Sequence, residues 1–423
     1  MNAVKHFLLS VLTTTSTMKI TFIQLFLPFI LMMPVFSAAQ ALNVQVGPRP
    51  YFLISQMKSS ALKTKLESCS NKPLEKTDFS IGHRGAALMF PEHTKESYEA
   101  AARMGAGVIE CDVTFTKDKA LVCRHAQNDL HTTTNILLTP LAEKCTKAFK
   151  PYDPSSKTPA SAECRTTDIT LAEFKSLRGK MDGFNPTALT PAEFVKGTPK
   201  WRSDLYSGPS SGTLITHQES IALFKKLGVK MTPELKEAVV PMPFNGFSQA
   251  DFAQKMLNEY KAANVKPSHV FPQSFHQADI LYWIAHEPEF AKQAVFLDAA
   301  LKPDDLPSLE QLQQYKAKGI QWVGPPLFAL LDVHQQAMVP SRYAQNAKDA
   351  GLSIIAWSLE RSGIMAESKG GWYYQSVREV VQNEGDIMEA VHVLAQDVGV
   401  RGIFSDWPGT TTYYANCMGL RSF

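Results

Sequence analysis

The sequence predicts a closed parallel barrel of eight strand–helix units, the (β/α)8 or TIM barrel. Three observations carry this expectation. Apolar strand-like runs alternate with helix-like runs along most of the chain. Several strand ends bear polar or charged residues, namely His83, Glu110, Glu234, Gln273, Trp357 and Asp406. The C-terminal strand ends of such a barrel form its active-site face. No glycine-rich phosphate turn follows the first strand, which argues against an open doubly wound sheet.

Taken in order, the chain opens on an apolar run over residues 20–36, preceded by Lys19 and followed by Ser37-Ala38-Ala39-Gln40-Ala41. Small residues in this pattern fit signal-peptidase cleavage after Ala39 or Ala41, so residues 1–41 read as a signal peptide. The run is short for a membrane helix, which needs about 20 apolar residues. Retention as an anchor is the alternative. Thr13 to Ser16 dilute any basic leader, and Met18-Lys19 would make a more conventional start. No later stretch is apolar enough to span a bilayer, so no stable span is expected after signal removal.

Residues 42–423 read as one barrel domain. The strand candidates are 79–83, 107–113, 229–234, 268–273, 294–298, 320–323, 353–357 and 402–405. Helices are predicted over 94–104, 217–227, 248–263, 276–285, 308–318, 342–350 and 384–397. Residues 126–213, rich in Thr, Ser, Pro and Lys, interrupt the rhythm as an insertion between strands 2 and 3, either a lid or a decorated loop. Residues 363–383 form an aromatic, glycine-containing loop with Trp372, Tyr373 and Tyr374.

The chemistry concentrates near the start. Ile81-Gly82-His83-Arg84-Gly85 ends the first strand, and Glu110-Cys111-Asp112 lies in the second. Residues two apart in a strand share a face, so Glu110 and Asp112 form a pair of hard oxygen ligands for Mg²⁺ or Ca²⁺. After a turn, Leu121-Val122-Cys123-Arg124-His125 can fold back on the second strand. Pairing Glu110 with His125 and Asp112 with Cys123 would put His125 on the carboxylate face. Arg84 offers a guanidinium fork for phosphate. Two histidines, an acidic pair and an arginine suit phosphodiester cleavage.

With these residues in place, the chain resembles the glycerophosphodiester phosphodiesterase family. That family carries H-R-G, P-E-N-T, E-x-D, a T-K-D-G-like turn and a second His. The matching residues are His83-Arg84-Gly85, Pro91-Glu92-His93-Thr94, Glu110-Cys111-Asp112, Thr116-Lys117-Asp118-Lys119 and His125. His93 replaces the usual Asn and Lys119 the usual Gly. Further matches are Pro233-Glu234-Leu235-Lys236, Gln273-Ser274-Phe275, the strand-end Trp357, and Gly402 to Pro408 with Asp406.

The resemblance implies a metal-dependent hydrolase of glycerophosphodiesters, yielding glycerol 3-phosphate and an alcohol. It implies one divalent cation on Glu110, Asp112 and Glu234, His83 as base and His125 as acid. Arg84, Lys236, Gln273 and Trp357 would bind substrate. Ca²⁺ is favoured over Mg²⁺ for an exported protein. Asp406 is expected to close the barrel through hydrogen bonds without touching substrate, and His131 to be structural. The alternatives are a phospholipase-like enzyme acting on membrane lipids and a non-catalytic binding barrel.

Composition is consistent with these readings. Forty-three basic residues against 40 acidic ones give a charge of +3. That near balance gives no support for nucleic-acid binding. The expected partner is a small-molecule diester, in the periplasm or outside the cell; the oligomeric state stays open. Export permits disulfides among the six cysteines. Cys145–Cys164 flank a short polar loop, and Cys69–Cys417 would be joined by barrel closure. Cys111 and Cys123, on opposite faces of the expected hairpin, are poor partners. No C-x-x-C spacing suggests zinc.

Overall fold

The computed structural model describes residues 43–206 and 212–420. The apolar run and its cleavage sites lie outside these residues. Eight parallel strands close into a barrel: β1 Thr77–Gly82, β2 Ala106–Phe115, β3 Lys230–Leu235, β4 Gln273–Ser274, β5 Val295–Leu297, β6 Trp322–Gly324, β7 Ser353–Leu359 and β8 Gly402–Ser405. Each pairs with the next, and β8 pairs with β1 to complete the ring. Helices cover the outside: α1 Lys95–Arg103, α2 His217–Leu227, α3 Gln249–Ala262, α4 Gln277–His286, α5 Leu309–Ala317, α6 Arg342–Asp349, α7 Asp386–His392 and α8 Gly409–Met418.

Every residue of β1 and β2 is buried, as expected for parallel strands covered on both faces. Ile81, Val108, Phe271, Val295, Leu297, Ile355 and Phe404 fill the barrel interior. Larger apolar clusters lie between barrel and helices. The fourth strand is shorter than the predicted 268–273. Pro272 has no N–H to continue the ladder, so only Gln273 and Ser274 pair regularly after the isolated bridge from Val270 to Met231. The predicted helix 384–397 is α7 continued by a wider π-helical segment, Val393–Val398.

Between the β2 hairpin and α2, the chain builds a small core of its own from Leu130, Ile136, Phe174, Phe194 and neighbours. Cys145–Cys164 staples this segment, and Cys69–Cys417 ties the two helices that precede β1, Arg49–Gln56 and Ala61–Glu67, to α8.

The third disulfide, Cys111–Cys123, corrects the sequence reading. The hairpin pairs Val113 with Cys123, not Asp112 with Cys123. A slip of one residue moves every side chain to the other face. Cys123 therefore shares the face of Val113 and Cys111, where the two sulfurs meet. The loop sets this register: Lys119, with φ 63°, donates its N–H to Thr116 O, and Thr116 N–H reaches Ala120 O. His125 still turns toward the carboxylates, because the returning strand ends at Cys123 and the chain bends there.

Candidate active site

The C-terminal ends of the strands surround a cavity of about 270 Å³. Its lining includes all nine residues singled out in the sequence: His83, Arg84, Glu110, Asp112, His125, Glu234, Lys236, Gln273 and Trp357. Phe275, Tyr373 and Phe404 are among its other walls.

Strand register assembles the acidic centre. Asp112 pairs with Glu234, and Glu234 with Gln273, across three adjacent strands. Oxygens of Glu110, Asp112 and Glu234 lie within 4.8 Å of one another. Burial and the neighbouring carboxylates push Glu110 well above the usual range. Burial raises Glu234 to about 7 despite its ion pair with Lys236. Burial would raise Asp112 as well, but His93, Lys236 and Arg84 outweigh it and hold this carboxylate low. Three buried carboxylates repelling one another are destabilising unless a cation joins them. Asp112 Oδ1 and Gln273 Oε1 are buried without a partner. This hard, all-oxygen donor set fits a divalent cation.

The loop after β1 carries the next groups. Arg84 and His93 adopt left-handed backbone conformations, with φ of 55° and 54°. Arg84 N–H donates to Glu110 Oε2 at 2.9 Å, and its Nη1 contacts both Glu92 oxygens at 3.1 and 3.2 Å. Its charge is thereby fixed at the cavity wall. His83 Nδ1 donates to Asp406 Oδ1 at 2.6 Å, leaving Nε2 on the cavity side, 3.9 Å from Glu110 Oε2. Burial lowers His83 to about 4, against the pull of Asp406. Burial, then the charges of Arg84 and Lys236, hold His125 well below its ordinary value. Both rings are neutral near pH 7.

The sequence matches the glycerophosphoryl diester phosphodiesterase family over residues 83–410. The chain belongs to this family. It is a glycerophosphodiester phosphodiesterase, a hydrolase of phosphoric diesters. A relative from Arthroderma benhamiae, named as an extracellular protein, is 46% identical over 248 residues, 57% of this chain and 100% of that one. A glycerophosphodiester phosphodiesterase of Arabidopsis thaliana is 25% identical over 373 residues, 84% of this chain and 90% of the relative. A crystal structure from Silicibacter pomeroyi, assigned to the same family, shares the fold with a TM-score of 0.54 at 19% identity. That match covers 85% of this chain and 99% of the other.

Residues outside the nine predicted ones also shape the candidate site. His93 is fully buried, its Nε2 donating to Asp112 Oδ2 at 2.9 Å while Tyr98 hydroxyl donates to Nδ1. It orients Asp112, and its place in the P-E-H-T segment was the available signal. Glu92 clamps Arg84 and receives Arg361. Asp406 makes hydrogen bonds, as expected, but to His83 and Arg361. Tyr373 joins Trp357 and Phe275 on one aromatic wall. His131 lies apart, stacked on Phe194 in the segment between the β2 hairpin and α2.

Proposed function

We propose that this enzyme is exported and hydrolyses glycerophosphodiesters to glycerol 3-phosphate and a free alcohol, with a divalent cation and two histidines. The convergence of three carboxylates, two imidazoles, Arg84 and Lys236 on one cavity carries the reading. Glu110, Asp112 and Glu234 would hold the cation, Ca²⁺ in preference to Mg²⁺ outside the cell. When bound, it supplies Lewis-acid polarisation of a phosphoryl oxygen.

The chain's own groups do the rest. Arg84 and Lys236 bind the phosphate and stabilise the charge that develops on its oxygens. His83, with Nδ1 tied to Asp406, offers its Nε2 lone pair as general base to the attacking hydroxyl. His125 protonates the leaving alcohol. An anionic phosphate between Arg84 and Lys236 offsets the charges that depress His125, which raises its affinity for the proton it must deliver. If the glycerol hydroxyl attacks first, a cyclic phosphate precedes hydrolysis. Trp357, Phe275 and Tyr373 wall the substrate pocket.

Three supports favour export. The leader-like sequence precedes the barrel, all six cysteines are paired, and the Arthroderma relative is named as extracellular. Among the described residues no helix is long and apolar enough to cross a membrane.

The test is release of glycerol 3-phosphate from glycerophosphocholine after EDTA treatment, with Ca²⁺ or Mg²⁺ added back. Loss on chelation and recovery with Ca²⁺ is expected. Undiminished release in EDTA would remove the cation from the reading. Turnover confined to lipid vesicles would replace the soluble diester with a membrane substrate.

A further inference from the structure

Asp406 is fully buried and holds the His83 ring, and two arginines from distant parts of the chain hold Asp406. Arg361 lies in the loop after β7. Its Nη1 is 3.1 Å from Asp406 Oδ2 and 3.3 Å from Oδ1, and its Nη2 is 3.4 Å from Glu92 Oε2. Arg202 belongs to the inserted segment, with Nη2 3.7 Å from Asp406 Oδ2. Both arginine side chains are buried, 11% and 4% exposed, and neither lines the substrate cavity. Glu92 in turn grips Arg84. Three guanidiniums therefore share two carboxylates.

This sharing has a chemical consequence. A carboxylate buried without cations would take up a proton and could no longer orient an imidazole N–H. With cations on its outer side, Asp406 stays ionised, accepts from Nδ1 of His83 and leaves Nε2 unprotonated toward the cavity. A base oriented through its second nitrogen is the usual way a histidine tautomer is fixed. The guanidinium fork of Arg361, spanning Asp406 and Glu92, also ties the carboxylate behind His83 to the one behind Arg84.

The Arg202 contact belongs to a strap that crosses the catalytic end of the barrel. Ser203 N–H donates to Leu88 O at 3.0 Å in the loop after β1. Tyr206 stacks on Phe90 of that loop, ring centroids 5.0 Å apart. Lys200 pairs with Glu367 beyond β7. The strap thus bridges the loops that carry His83 and Arg361.

We propose that Arg361 and Arg202 are positioning residues for the hydrolysis, acting on His83 through Asp406. By this contact the inserted segment is a working part of the active site. The proposal rests on His83 as the proton acceptor.

The test compares kcat and KM for glycerophosphocholine in Arg361→Gln, Arg202→Gln, Asp406→Asn and the two doubles with Asp406→Asn, each checked for folding by thermal unfolding. Each arginine variant is expected to lose about 10- to 100-fold in kcat with KM nearly unchanged. The Arg202 double is expected to be no slower than Asp406→Asn alone. The Arg361 double is expected to lose less than the product of the two single losses, because Arg361 keeps its contacts with Glu92 and, at 3.5 Å, with His83 Nδ1. Arg361→Lys, which keeps the charge, should recover part of the loss. If Arg361→Gln does not fold, the Arg202 pair carries the same comparison.

Wild-type kcat in both arginine variants, or losses that multiply with that of Asp406→Asn, would overturn the proposal. Failure of the underlying assignment looks different: Asp406→Asn and His83→Ala would both keep wild-type kcat.

Discussion

At the scale of single residues, burial is what makes the site reactive. His83 and His125 are both kept neutral by their surroundings, and the proposed mechanism gives each a distinct proton task. Replacing either with Ala should lower turnover by about 10²–10⁴-fold. Full turnover in the double variant, measured with metal-saturated enzyme, would remove both assignments. A nearby carboxyl has a pH signature of its own. Burial lifts Asp129 to about 7, with Glu92 adding and Arg124 opposing. Its folded value lies above the unfolded one, so between about pH 4 and pH 7 the folded chain binds more protons. This group's contribution is complete below pH 4 and is lost as pH rises through 7. Asp129→Asn cannot ionise and should gain stability relative to the parent across that window, read as a diverging difference in Tm. A constant difference from pH 4 to pH 8 would contradict the shift.

At the scale of elements, the β1 loop shows how close packing holds the site. Gly85 has φ +93°, and a Cβ there would sit 2.3 Å from Ser97 Oγ and 2.8 Å from the Ser97 backbone carbon. Gly85→Ala should cost about 2–4 kcal/mol from strain and overpacking together, and should lower activity by displacing Arg84 from Glu110. Gly246→Ala is the control, since its φ is also positive but open space surrounds it. Similar unfolding curves for the two variants would refute the packing argument. The same region shows what local sequence can express. Alternation along β2 and β3 put Glu110, Asp112, Glu234 and Lys236 within reach of one another, because strand periodicity is a local property. The hairpin register was not legible. It depends on the backbone path of residues 116–120, and an error of one position there turned a disulfide pair into apparent non-partners.

At the scale of the molecule, the eight-strand alternation was readable because each unit repeats one apolar pattern. The Arg361–Asp406–His83 contact was not, because His83 lies 323 residues from Asp406 and 278 from Arg361 and no short motif marks the contact. Barrel closure brings such ends together, and Cys69–Cys417 secures them. This bond spans 348 residues, whereas Cys145–Cys164 spans 19. On the chain-entropy account, the long closure restricts the unfolded chain by roughly 6 kcal/mol and the short one by roughly 3 kcal/mol. The long bridge lies at the opposite end of the barrel from His83: Thr77, at the start of β1, donates its hydroxyl to Leu420 O just beyond Cys417, while His83 follows the end of β1. Replacing Cys69 and Cys417 with Ala should therefore cost more stability than replacing Cys145 and Cys164, while kcat at 25 °C stays near wild type. Denaturant unfolding of both double variants, with turnover measured in parallel, decides it. Equal losses would mean that the unfolded chain is already compact enough to keep its ends close. A fall in kcat without unfolding would mean that the far end of the barrel controls the geometry of the site.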